Sequence, residues 1–188
     1  ALIVVMAHMG CFVPAAEAKM SCVDRLFTRI GALDNLYQGQ STFMVEMVET
    51  ASILHNATPN SLIILDEIGR GTSTYDGISI AASVIEHLHH TTQARTLFAT
   101  HYHELTQLQE TLPALGLYRM KITETDQSIV FNYEFEKGPA NKSYGIHVAK
   151  MAGLPEAVLQ RSTALLKSLE TQSMSQSSLS APNQLTLF

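Results

Sequence analysis

Ser61-Leu62-Ile63-Ile64-Leu65-Asp66-Glu67-Ile68-Gly69-Arg70-Gly71-Thr72-Ser73-Thr74-Tyr75-Asp76-Gly77 is an apolar run that ends in two adjacent carboxylates and a loop of Gly, Ser and Thr. Four apolar residues between polar boundaries predict a buried strand of a mostly parallel sheet. Ligands of such sheets bind beyond the carboxyl ends of the strands, and Asp66 and Glu67 fall at that edge. The pattern fits a Walker B element, in which the first carboxylate serves Mg²⁺ and the second positions or activates water. A strand closed by a capped acidic turn is the plainer alternative. Glycines at 69, 71 and 77 allow tight backbone paths. Thr72, Ser73 and Thr74 supply hydroxyls, and Asp76 can cap the next helix or reach across an interface.

The flanking segments continue an alternation of strand and helix. Residues 25–30 read as a strand and residues 31–40 as a loop. Ser41 opens a helix whose first amides it can cap, with Phe43, Met44, Met47, Val48, Ala51 and Leu54 at three- and four-residue intervals. Glu46 and Glu49 are expected on its wetter side or at an interface. Ser41 is either a cap alone or also a donor to an anion at that helix N-terminus. After the central strand, Ile78, Ala81, Ala82, Ile85 and Leu88 form a second helical stripe. His87, His89 and His90 face different directions and lack a completing carboxylate or thiolate, so they read as surface histidines rather than a metal cluster. Residues 95–100 form the next strand. His101 lies just beyond it, where an imidazole can contact a phosphate or order water; a local capping role is the plainer alternative.

Further along, residues 117–123 and 128–135 predict an antiparallel ribbon around an Asp126-Gln127 turn, with Ile129, Phe131 and Tyr133 on its buried face. Two helices follow, residues 143–151 and a second begun by Pro155, with Val158, Leu159, Ser162, Leu165, Leu166 and Leu169 as an apolar face. The pair has helix-turn-helix character, but its low basic content argues for packing rather than base reading. After Glu170 the composition turns to Ser and Gln, which predicts a flexible tether ending in Gln184-Leu185-Thr186-Leu187-Phe188, either a loose terminus or a short linear motif that enters a hydrophobic pocket.

A formal charge of -5 over 188 residues argues against a broad basic surface for nucleic acid on this chain. Cys11 and Cys22 show neither metal-ligand spacing nor a disulfide framework, which suits a reducing, cytoplasmic setting. Residues 1–10 are apolar but too short to span a bilayer, and read as the end of a buried helix. Gly10 stops that helix and Pro14 prevents its continuation. No GxxxxGK[ST] loop occurs in the sequence. The Walker B reading therefore implies a phosphate-binding loop upstream of Ala1.

Four motifs then occur in one family's order: Ser41-Thr42-Phe43-Met44-Val45-Glu46-Met47; the run from Leu65 to Gly77; Ala99-Thr100-His101-Tyr102-His103-Glu104-Leu105; and Lys142-Ser143-Tyr144-Gly145. On these the chain, over residues 1–170, resembles the C-terminal part of the ATPase domain of the MutS family of bacterial DNA mismatch-recognition proteins, within the ABC ATPase superfamily. The resemblance implies an α/β fold: a partial P-loop ABC-type ATPase domain with a parallel sheet and a late β-ribbon over residues 1–138. A C-terminal helix-turn-helix dimerisation element would cover 139–170, and a flexible tail 171–188.

It also implies roles. Asp66 would hold Mg²⁺, Glu67 would polarise the hydrolytic water, and His101 would lie near the γ-phosphate of ATP. Ser41 would face nucleotide held by the opposite subunit of a homodimer, with Thr72, Ser73 and Asp76 at the same junction and Tyr133 on the adenine side. ATP, ADP and Mg²⁺ are the implied ligands. Mismatched double-stranded DNA, bound by upstream domains, and a MutL-type repair protein are the implied partners, in the bacterial cytoplasm and at the nucleoid during repair. Gln184, Leu185, Leu187 and Phe188 resemble a sliding-clamp-binding peptide. Another ABC-type ATPase, or a noncatalytic assembly module, are the rival readings. This chain alone is expected to turn over Mg-ATP negligibly, because the loop and Lys that hold the β and γ phosphates are not in it. Purified chain hydrolysing ATP at a rate abolished by Glu67→Gln would contradict that expectation.

Overall fold

A computed structural model of the protein describes residues 1–31, 41–124, 129–140 and 144–179. Strand β2 (Leu62–Asp66) is the middle of a three-stranded sheet, with β1 (Leu26–Arg29) and β3 (Arg95–Ala99) beside it. Both pairings are parallel: Leu62 lies opposite Leu26 on one side and Arg95 on the other, and Asp66 lies opposite Ala99. Parallel neighbours need a crossover. Helix α2 (Thr42–Asn56) joins β1 to β2, and helix α3 (Thr74–His87) leads from β2 toward β3.

The side-chain period of two divides β2. Ile63 and Leu65 are fully buried, while Leu62, Ile64 and Asp66 are half-buried. Ile63 and Leu65 cluster with Ile53 of α2, Ile68, Val84 of α3 and Leu88, flanked by Phe27 and Phe98. Phe27 is the register partner of Ile63, and Phe98 that of Leu65, so the core lies on one face of the sheet. Burying each such side chain contributes roughly 1.5–3 kcal/mol, enough for this face to set the register. On β3 the alternate residue Leu97 is 62% exposed. β3 is thus half-open rather than buried on both faces.

Contacts divide the chain into two units, the first holding residues 1–119 with 137–139 and the second the described residues of 120–136 and from 140 on. In the first unit, helix α1 (Leu2–His8) ends where Gly10 takes φ +75°, with the Cys11 N–H bonded to the Met6 carbonyl. None of its residues is buried, contrary to the buried helix expected. Its described side-chain anchor is His8, whose Nε2 accepts the Val23 N–H at 2.9 Å. Helix α2 is also turned relative to expectation. Its buried residues are Glu46, Thr50 and Ile53, while Met44 and Val48 are more than half exposed. The reason is polar: Glu46 has buried partners, described below, that outweigh a purely apolar choice of face. α3 closes not by fraying but in a π turn (Leu88–Thr92), sealed by left-handed Gln93, whose N–H returns to the Leu88 carbonyl at 2.8 Å. His89 accepts the Ala114 N–H, a structural role. A 3₁₀ helix (His103–Glu110) follows β3 and buries Leu105.

The ribbon consists of β4 (Tyr118–Glu124) and β5 (Ile129–Lys137). Gly138 bonds to Leu117, Lys121 to Glu134, and Thr123 to Asn132. Partner numbers fall as the others rise, so the strands are antiparallel. The Asp126-Gln127 turn lies outside the described residues. Tyr133 is 84% exposed, whereas Asn132 is half-buried against Thr123. Tyr133 therefore does not sit on a buried face, and its φ of +55° breaks the simple alternation on which that expectation rests.

Helices α4 (Gly145–Met151) and α5 (Glu156–Leu179) pack on each other, separated by a turn in which Gly153 has φ +85°. Of the expected apolar face on α5, Leu159 is buried, but Val158, Leu165 and Leu169 are exposed. α5 runs past Glu170 to Leu179, beyond the boundary drawn from composition. Among the described residues no helix is long and apolar enough to cross a membrane.

The entry to β2 is fastened by Asp24. It accepts from the Thr58 hydroxyl at 2.5 Å and the Ser61 hydroxyl at 3.1 Å. The Thr58 bond above all holds its pKa below the ordinary aspartate value, against slight desolvation, with further help from Ser61 and from the amide and charge of Arg25. A depressed folded-state pKa gives stability that is present above the unfolded value, about 3.9, and is lost as pH falls through the lower folded value. Urea midpoints measured from neutral pH down through this range should therefore fall less steeply for Asp24→Asn than for the native chain.

Candidate functional site

Asp66 is the last residue of β2, and the ladder to β3 continues one residue further through the Glu67 N–H, which donates to the Ala99 carbonyl at 2.9 Å. Glu67 then takes φ +54°. Such a conformation costs a non-glycine residue roughly 1–3 kcal/mol and persists only where its surroundings enforce it. Here they do: Ala99 holds the amide before it, and the next residue, Ile68, is fully buried in the core.

The turn carries the Glu67 carboxylate to the end of β3. His101 Nε2 lies 2.5 Å from Glu67 Oε1, and Arg70 forms an ion pair with Glu67 Oε2. Partial burial pushes the Glu67 pKa up. The hydrogen bonds from Arg70 and His101, with the charges behind them, outweigh burial and hold it below the usual glutamate value. Glu67 is thus a carboxylate at neutral pH, with an acceptor oxygen turned toward each partner. His101 is 82% and Arg70 73% exposed at the side chain, against 27% for Glu67. The carboxylate is the fixed member of the three and its partners reach in from solvent.

Asp66 is half-buried beside this group, and among the described residues its carboxylate has no hydrogen-bond or ion-pair partner. No set of three or more His, Cys, Asp or Glu side chains that could enclose a metal is found among the described residues. One open carboxylate at a sheet edge suits Mg²⁺, which is commonly held by one or two carboxylates together with substrate phosphates.

The rest of the loop is built to approach closely. Gly69 has φ +89°, and a Cβ there would lie 2.6 Å from the Gly77 carbonyl oxygen; a Cβ on Gly71 would lie 2.9 Å from that of Phe43. Ser73 is the N-cap of α3: its Oγ accepts from the Asp76 N–H, and its hydroxyl donates to Asp76 Oδ2 at 2.8 Å. Ser73 and Asp76 thus cap each other, and Thr72, just before them, is half-buried. Ser41 caps α2, accepting from the Met44 N–H at 3.1 Å.

The structure thus brings Asp66, Glu67 and His101 to the carboxyl ends of two neighbouring strands, with Thr72, Ser73 and Asp76 at the start of the helix that follows. Ser41 heads the preceding helix. Tyr133 belongs to the ribbon in the second unit. Gln184, Leu185, Leu187 and Phe188 lie outside the described residues.

Four residues here escape sequence reasoning. Arg70 pairs with Glu67. Glu46 is buried, and accepts the Gly69 N–H at 2.5 Å. Arg29, also buried, reaches Glu46 at 3.9 Å and Glu49 at 2.9 Å. Tyr102 donates its hydroxyl to the Gly69 carbonyl at 2.9 Å. Glu46 and Glu49 are thus not alike: only Glu49 keeps a half-exposed side chain. A usable signal existed for Arg29 alone, as a charge between Phe27 and Ile30 at the end of a strand.

Comparison with known proteins gives one answer. Residues 1–170 match the family model described as MutS domain V. The DNA mismatch repair protein MutS of Caldicellulosiruptor bescii is 58% identical over 172 residues, covering 90% of this chain and 20% of the relative. That of Protochlamydia amoebophila is 60% identical over 172 residues, with the same coverage. That of Roseiflexus castenholzii is 55% identical over 186 residues, covering 98% of this chain and 17% of the relative. The chain spans about a fifth of the length of the curated relatives it matches.

The tightest contact in the loop is at Gly77, where a Cβ would overlap both the Gly69 carbonyl oxygen and the Tyr102 hydroxyl. Gly77→Ala should therefore separate the loop from Tyr102 and destabilise the fold by about 1–3 kcal/mol, the usual cost of overpacking. Chemical denaturation of the two forms checks this; equal stability would show that the loop relaxes freely.

Proposed function

The chain belongs to the MutS family, through its domain V, and from this premise we propose that it carries part of an ATP-hydrolysing site that serves DNA mismatch repair. The observation that carries the proposal is the 2.5 Å contact between Glu67 and His101, made at the carboxyl ends of adjacent parallel strands beside the open carboxylate of Asp66.

In this reading Glu67, ionised and aimed by its strained backbone, accepts a proton from the attacking water. His101, largely exposed, can turn between Glu67 and the γ-phosphate. Asp66 would hold Mg²⁺, which when bound would offset the negative charge of the phosphates. Phosphoryl transfer asks mainly for placement and charge compensation, so the rigid part of the site is also the useful part. Ser41 at the α2 N-terminus would meet nucleotide held by a second copy of the protein, with Thr72, Ser73 and Asp76 at the same junction and Tyr133 toward the adenine.

The exposed Val158, Leu165 and Leu169 on α5 support a homodimer, because they form an apolar stripe that a partner helix would cover. Coupling of ATP turnover to mismatched DNA and to a MutL-type protein belongs to the same proposal, as does sliding-clamp binding through Gln184, Leu185, Leu187 and Phe188. Exposed free Cys11 and Cys22 suit the reducing cytoplasm in which such a protein would work.

The test is Glu67→Gln in full-length MutS bearing this domain V. Loss of a general base costs about 10²–10⁴-fold in rate. The expected result is a fall of that order in steady-state Mg-ATP hydrolysis, with ATP still bound by equilibrium dialysis. Turnover at the wild-type rate would overturn the proposal.

A further inference from the structure

We propose that Glu46 and Tyr102 are positioning residues for hydrolysis, which hold the backbone of Gly69 through its N–H and its carbonyl and thereby fix Glu67 and His101 relative to helix α2. The inference rests on the ATPase reading above and adds to it the device that couples α2 to the hydrolytic pair.

Three separate segments meet at this one glycine. Its N–H donates to Glu46 Oε1 of α2 at 2.5 Å, and its carbonyl accepts from the Tyr102 hydroxyl at 2.9 Å. Tyr102 is the neighbour of His101, and its own N–H is held by the Thr100 hydroxyl at 3.0 Å. Gly69 lies two positions after Glu67, with fully buried Ile68 between them. The link is short and stiff. Gly69 and Glu67 both have positive φ, and a Cβ at either Gly69 or Gly77 would collide with backbone. A shift of the Gly69 peptide therefore passes to Glu67 rather than being absorbed by slack.

Glu46 is the unexpected member. A carboxylate at 5% exposure is costly unless it is paired and hydrogen-bonded. An apolar side chain at this position of α2 would serve packing alone at lower cost. What the carboxylate adds is a charge-assisted bond to a backbone N–H, stronger and more directional than a neutral one, with buried Arg29 at 3.9 Å as its counter-charge. The first residues of the same helix are those capped by Ser41. Movement at the α2 N-terminus thus reaches Glu67 through Glu46 and Gly69, and reaches His101 through Gly69 and Tyr102. Neither Glu46 nor Tyr102 is placed to touch the reacting atoms, so each acts on rate through the groups it holds.

The experiment uses full-length MutS bearing this domain V, with Tyr102→Phe, Glu46→Gln, the double variant and Glu67→Gln. Single-turnover hydrolysis of Mg-ATP is normalised to nucleotide bound, and KM is measured in parallel. Misplacing a reacting group by about 1 Å can cost as much as 10²-fold. Tyr102→Phe and Glu46→Gln should each lower the hydrolysis rate constant by about tenfold or more while KM for ATP stays within about twofold. Because both act through one residue, Gly69, the double variant should be slower than the worse single variant by much less than the product of the two effects. Wild-type rate constants in Tyr102→Phe overturn the inference, as do fully multiplicative losses in the double variant. If Glu46→Gln does not fold, Tyr102→Phe decides alone, since it removes one hydroxyl and leaves the buried charges intact. Normal turnover by Glu67→Gln would instead defeat the ATPase reading itself; loss of turnover there with full activity in Tyr102→Phe would defeat only the clamp.

Discussion

Everything in the candidate site depends on the parallel pairing of β2 with β3. The Asp66–Ala99 register, extended by the Glu67 N–H bond to Ala99, brings two sequence-distant segments to one edge. A slip by one residue would turn Ile63 and Leu65 out of the core. It would also part Glu67 from His101. The same apolar burial that holds the fold therefore sets the register that brings these two side chains to one edge. The positive φ at Glu67 is affordable for that reason: Ile68 anchors one side of the turn and the β3 ladder the other.

Beneath this edge lies a second, polar layer. Arg29 from β1 and Glu46 from α2 are both nearly fully buried, an arrangement that an apolar pair could replace with equal or greater stability. Arg29 also donates to the Gly31 carbonyl and forms an ion pair with Glu49, although its buried Nε makes no well-aligned hydrogen bond. A charge in a helix face adjoining the core makes sense if it has a directional task, and the Gly69 N–H supplies one. It also accounts for the orientation of α2, which turns Glu46 and Thr50 inward and leaves Met44 and Val48 in solvent.

The order of strands and helices is legible from the sequence, because period-two and period-3.6 patterns report backbone geometry directly. So is the position of Asp66 and Glu67 at the end of one strand and of His101 beyond the next, since a parallel sheet presents its polar ends together. The facing of α2 is not legible, because apolarity is a poor guide where a carboxylate has buried partners. The ribbon misleads in a similar way: Tyr133 has the right parity for a buried face, yet positive φ at that residue interrupts the parity rule. Tyr102 is hidden for a third reason. Its partner is a backbone carbonyl far along the chain, and no side-chain pattern marks a carbonyl.

The exposure of the site bears on how it can act. His101 and Arg70 meet Glu67 while mostly in water, where an ion pair is worth little, on the order of 1 kcal/mol or less. The same contacts strengthen several-fold when water is excluded and the effective dielectric falls. A covering surface would therefore strengthen these contacts without moving an atom of Glu67. The Ser73–Asp76 capping pair stands at the head of α3, mutually hydrogen-bonded and exposed. If the proposed function holds, a pair preset by the sheet but strengthened by closure would let turnover be governed by whatever brings a second surface into place.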